Sequence, residues 1–131
     1  MVDALEEARR ILVDGGVLVD ARPDSRVAAR VRIGGARGTI IGTIGTQRET
    51  KTDDQLSDRA VRDVLRRGLL RSRRRGRIWH AIPFEDRSEL QDYLGDHLRF
   101  SRRVTWRVRA AKRDGRLVVE RAVRFEILER R

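Results

Sequence analysis

Arginine is the residue type that most invites a chemical reading of this chain. Arg71, Arg73, Arg74, Arg75 and Arg77 form one run, and Arg99, Arg102, Arg103, Arg107 and Arg109 form a second. Guanidinium groups present a planar fork of donors that fits phosphate, so such clusters point to nucleic acid as one partner class. The formal net charge of +11 agrees with this, because polyanions bind cationic surfaces by releasing counterions. Two features pull the other way. Among 31 basic residues only Lys51 and Lys112 are lysine, a bias that a GC-rich coding sequence also produces. Alternation along a strand also sends Arg73, Arg75 and Arg77 to one face and Arg74 to the other, so the runs read better as solvated sheet faces. Trp79, Tyr93, Trp106 and three phenylalanines are the aromatic residues available to stack on bases. Their pattern assigns most of them to the core, which leaves a base-stacking platform unsupported.

The other reactive residue types are poorly placed for catalysis. His80 and His97 lie far apart with no HxxxH or HExxH spacing, whereas a metal site needs three or four convergent ligands. The chain has no cysteine, which excludes disulfides, thiol catalysis and cysteine-based zinc sites. Asp53, Asp54, Asp58, Asp63, Glu85, Asp86 and Glu89 sit at helix starts or four residues from an arginine, where dipole and ion pairing account for them. No G-x-S-x-G surrounds any serine. Gly34, Gly35, Gly38, Gly42 and Gly45 match neither G-x-G-x-x-G nor the P-loop pattern, and a hairpin turn explains them more simply. No catalytic, cofactor-binding or metal-ligating residue is therefore assigned.

The elements that carry these residues can be read from periodicity. Leu5, Ala8, Ile11 and Leu12 recur at helical spacing within a first helix over 3–13, with Glu6 expected to pair with Arg10. Gly15-Gly16 ends that helix and leads into Val17-Leu18-Val19, a wholly apolar strand expected to be buried on both faces. Val27, Ala29, Val31 and Ile33 alternate with Ala28, Arg30 and Arg32, turn at Gly34-Gly35, and return through β-branched Thr39 to Ile44. Residues 46–51 read as a polar connection. Thr52 and Gln55 fit a capping box opening a second helix, with an apolar stripe of Leu56, Ala60, Val61, Val64 and Leu65 and a stop at Gly68. Asp58–Arg62 and Asp63–Arg67 are its expected pairs. The basic run leads into a strand over 78–82, ended by Pro83. Asp86 and Glu89 cap a third helix lined by Leu90, Tyr93, Leu94, His97 and Leu98. In the final hairpin, a turn at Asp114-Gly115 would set Val104 against Phe125, Trp106 against Val123, Ala110 against Val119, Arg109 against Glu120 and Arg103 against Glu126.

The sum is an α+β (mixed α/β) chain: three helices and about six mostly antiparallel strands in hairpins, forming a single domain over residues 1–131. No apolar run approaches the roughly 20 residues that span a bilayer. The acidic start, Asp3 to Glu7, lacks the features of a signal peptide. A cytoplasmic protein with no membrane or metal partner is expected.

One segment carries a family likeness. Leu5-Glu6-Glu7-Ala8-Arg9-Arg10-Ile11-Leu12-Val13-Asp14-Gly15-Gly16-Val17-Leu18-Val19 resembles the helix, turn and strand late in class I S-adenosylmethionine-dependent methyltransferases, whose text there reads roughly L-x-E-x-x-R-V-L-[RK]-P-G-G-x-L-V. Val13-Asp14 stand where Arg/Lys-Pro is common. Beyond these residues the likeness is looser, resting on a later strand and a final hairpin. It implies a methyltransferase-like C-terminal half. In that family an acidic, glycine-rich loop after the first strand and an acidic residue after the second hold the cofactor, both upstream of this segment. No E/D-x-G-x-G occurs here. The resemblance therefore implies no cofactor residue in this chain and no methyl transfer by it alone. It implies instead a cofactor-binding partner protein or a homodimer, with a basic nucleic-acid-binding module as the alternative.

Overall fold

The structure, a computed structural model, describes residues 2–97, 103–107 and 114–131. Helix α1 spans Val2–Ile11, and strands β1 (Val17–Pro23), β2 (Ala29–Ile33) and β3 (Thr39–Ile44) follow. Helix α2 (Arg48–Arg66), strand β4 (Leu70–Phe84), helix α3 (Arg87–Asp96), strand β5 (Thr105–Trp106) and strand β6 (Leu117–Arg130) complete the order. The six strands form one sheet in the order β1-β6-β2-β3-β5, with β4 also paired to β6. The α+β class and the three helices with six mostly antiparallel strands agree with the sequence reading. No helix among the described residues is long and apolar enough to cross a membrane.

Two compact units share the chain. In the first, α1 and α2 place Leu5, Ala60, Val61 and Val64 against Leu70 and Leu128, with Leu18 and Leu65 packed alongside. Gly68 closes α2 in the left-handed conformation expected of it, with φ of 70°. Opposite the end of β6, Gly15 donates to the Arg130 carbonyl while the Arg130 N–H returns to Gly16. With Gly15 at φ 74°, this two-against-one pairing is a glycine bulge. Arg130 also caps α1 through the carbonyls of Arg9 and Leu12.

In the second unit, Val31, Ile41, Ile44, Leu117 and Val119 from the strands meet Phe84, Leu90 and Leu94. Asp86 caps α3 as expected, its carboxylate accepting from the Glu89 N–H at 2.9 Å. The β2–β3 hairpin is present, with Gly34 and Gly35 at φ 80° and 97°. Its connection runs from Ile33, opposite Thr39, through five residues rather than two, and a register shift falls between Val31 and Arg32.

Several local expectations are corrected. Among the described residues β6 does not pair with the segment before it: Val119 lies opposite Val31 and Glu120 opposite Arg30, while Trp106 lies opposite Gly42. Alternation fitted both pairings, and the sheet selects the one in which β6 sits beside β2. Ala110 and Arg109 lie outside the described residues, as does Leu98. Helix α2 begins at Arg48, so Thr52 and Gln55 are internal and exposed rather than capping, and Leu56 faces solvent. Asp58 turns from Arg62 to Arg22 and Arg124, Glu6 pairs with Arg67, and Arg10 pairs with Glu7. The basic run does not precede a strand but is one: β4 is 15 residues long and contains Pro83. Finally, β1 is not buried on both faces. Leu18 packs into the core while Val17 and Val19 stand 55% and 56% exposed.

Candidate functional site: the arginine run and the first strand

The first arginine cluster lies along β4, where Arg71, Arg73, Arg74, Arg75 and Arg77 are all exposed. Three of them are tied to carboxylates of β6. Arg71 and Arg73 reach Glu129 at 2.7 and 3.0 Å, and Arg75 reaches Glu126 at 3.2 Å. The Arg71 guanidinium, assisted by Arg73, holds the Glu129 carboxyl below the usual carboxylate range. Much of the phosphate-binding potential of this run is thus already answered within the fold. The run also has a structural effect. Among the described residues β4 pairs with β6 and no other strand, and a long edge strand bearing outward cations resists pairing with another chain. Of the second cluster, Arg103 and Arg107 are exposed, and the Arg107 N–H donates to the Ile41 carbonyl. Arg99, Arg102 and Arg109 lie outside the described residues.

Sequence reasoning missed two charged clusters because their members are far apart along the chain. In the first unit Arg22 of β1 lies 2.8 Å from Asp20 and 3.1 Å from Asp58 of α2, and Arg124 of β6 reaches the same Asp58. Two cations and two anions, all partly buried, balance one another there. In the second unit Glu120 receives both Arg30 and Arg32, and the Arg30 guanidinium lies 3.5 Å from the centroid of the Trp79 ring. Trp79 is 37% exposed, where the sequence pattern assigned most of the aromatic residues to the core. Partners distant in the chain complete both arrangements: Asp58 of α2 with Arg124 of β6 in the first, and β2 with Glu120 of β6 in the second.

The histidines take separate roles. His80 is exposed on β4. His97 stacks on Tyr93 with ring centroids 4.0 Å apart and hydrogen-bonds its hydroxyl at 3.0 Å, and burial pushes the Tyr93 phenol up from its ordinary value. Among the described residues no three of His, Cys, Asp and Glu converge to hold a metal ion. A recess just beyond β1 gathers Asp24, Ser25, Thr46 and Arg121, but its free space of about 10 Å³ admits no more than a water molecule. Asp24, 3% exposed, is spent on its own turn, accepting from the Arg26 backbone and guanidinium.

The most unusual surface is the one around β1. Ile11 and Val13 are 69% and 76% exposed, and Val17 and Val19 of the strand itself are uncovered too. Strand β1 ends the strand order, so its outer edge meets no strand among the described residues. Comparison with protein-family models, with curated proteins and with solved structures finds no match.

Proposed function

We propose that this chain is a methyltransferase-like domain that transfers no methyl group by itself. It serves as the partner or substrate-side half, or as a homo-oligomeric remnant, of a class I S-adenosylmethionine-dependent methyltransferase. One observation carries the reading. The segment that resembles the family, Leu5 to Val19, folds as helix, glycine turn and strand, and that strand leaves both its outer edge and its Val17–Val19 face uncovered. An apolar strand of this kind belongs inside a larger sheet. The lack of any acidic glycine-rich loop in the sequence supports the non-catalytic part of the proposal.

Calorimetric titration of the purified chain with S-adenosylmethionine tests it. The expected result is no saturable heat at about 1 mM cofactor, a concentration at which even a weak site with a free energy near −4 kcal/mol is half filled. Saturable one-to-one binding, or methyl transfer by the chain alone, overturns the reading. The alternative of a basic nucleic-acid-binding module rests on the net charge of +11. It requires a mobility shift with duplex or RNA at low ionic strength that weakens steeply as salt rises.

A further inference from the structure

We infer that the outer edge of β1 pairs with the β1 edge of a second copy of this chain, antiparallel about a twofold axis at Val19. The inference names the occupant of the surface on which the proposed function rests. It begins from hydrogen-bond direction. Facing β6, the Gly16 carbonyl accepts from the Arg130 N–H and the Asp24 N–H donates to the Ala122 carbonyl, each at 2.9 Å. Alternation then turns the N–H and C=O of Val17, Val19 and Ala21 outward, away from β6. The same three residues carry the exposed side chains of the strand. A twofold axis at Val19 sets Val19 against Val19 of the second copy and Val17 against its Ala21. All outward backbone groups of the three residues are then satisfied reciprocally, and an uninterrupted apolar face is formed. A self-complementary patch of this kind is what an isologous interface requires.

The contrast between the two edges strengthens the argument. Strand β4 carries five arginines at positions 71–77, the means by which an edge is kept from pairing. Strand β1 has no such guard between Val17 and Ala21. Its one charged residue there, Asp20, is held by Arg22 at 2.8 Å with its side chain only 13% exposed. Pro23, which lacks an N–H, then ends the ladder. Ile11 and Val13, which precede the strand in the chain, are exposed as well. Because each copy carries +11, association is expected to tighten as salt screens repulsion, the opposite of the salt response of nucleic-acid binding.

Sedimentation equilibrium of the full chain is the test, with Val19→Lys and Val19→Cys variants. Wild type is expected to be dimeric, and Val19→Lys, which sets two ammonium groups face to face, is expected to weaken the dimer at least about tenfold with its thermal unfolding cooperative. The natural chain has no cysteine, so Val19→Cys under diamide oxidation reports register directly. Opposed Cα atoms roughly 5.5 Å apart suit a disulfide, and a covalent dimer is expected from Val19→Cys but not from Val17→Cys. A monomeric wild type, a dimer indifferent to Val19→Lys, or equal cross-linking at both positions overturns the inference. Occupation of the edge by a different protein appears as a monomer in the pure sample and counts against it. Calorimetric binding of S-adenosylmethionine sinks the proposed function and leaves this interface standing.

Discussion

Replacing Gly76 by alanine tests the packing between β4 and β6. A Cβ added at Gly76 would stand 2.8 Å from Cζ and 2.9 Å from Cε1 of Phe125, well inside ordinary contact. Overpacking of this kind typically costs about 1–3 kcal/mol. The obstacle is the far end of a rotatable ring, so the lower half of that range, about 1–2 kcal/mol, applies. Against it stands the intrinsic gain of about 0.5–1 kcal/mol when alanine replaces glycine in a strand. Gly76→Ala should therefore destabilise the protein by roughly 0.5–1 kcal/mol, and the same change in a Phe125→Ala background should stabilise it by a similar amount. Urea unfolding of the four proteins, with linear extrapolation to water, measures the coupling, expected at about 1–2 kcal/mol. If Gly76→Ala changes stability equally in both backgrounds, the ring does not rest on that glycine and the reasoning is wrong.

Further outcomes follow from other contacts. Gly38→Ala drives a Cβ into the Ile33 carbonyl, which no side-chain rotation can relieve. It should cost about 2–4 kcal/mol, because opening the hairpin also loses hydrogen bonds at about 1 kcal/mol each, and a lowered urea midpoint with unchanged slope measures this. Asp86→Ala removes the α3 cap and should cost about 1 kcal/mol, read from the same curve. The Glu129, Glu7 and Asp63 carboxyls are all held below their ordinary values by arginine partners. A carboxyl with a lowered folded-state pKa stabilises the fold above its unfolded value, near 4.5 for Glu129, and that contribution is lost as the pH falls through the folded one. Glu129→Gln should therefore narrow the stability difference between neutral and strongly acidic solution, checked by thermal melts across that range.

The parts of the fold legible in the sequence were those fixed by neighbours in the chain. The Asp86–Glu89 cap and the glycines at 34, 35 and 68 act within a turn, so residue type and spacing determine them. The start of α2 was hidden because its first turns bury Thr50 and Asp54, polar residues that a search for apolar periodicity passes over. Strand β4 was hidden by its own charge. Five arginines carry no apolar alternation and read as a lead into the strand, and Glu126 and Glu129, more than fifty positions away, face three of them. The partner of β6 was undetermined for a different reason. Alternation tells which face of a strand is apolar and is silent on which strand lies beside it, so Val119 could satisfy either Ala110 or Val31. At β1 the run Val17-Leu18-Val19 signalled a strand but not its burial, because apolar composition does not tell whether both faces of a strand are covered, and Val17 and Val19 are exposed.

The placement of β6 also constrains how the molecule is made. This last strand joins β1, β2 and β4, and its Arg130 closes contacts with Arg9, 121 positions earlier. The β2–β3 hairpin can form from neighbouring chain, whereas β1 and β4 are joined to the sheet only through β6 among the described residues. Until β6 is in place, β1 and β4 lack the strand that each of them pairs with, and pairing across so long a sequence separation makes assembly slow. Slow refolding on dilution from urea is the practical consequence.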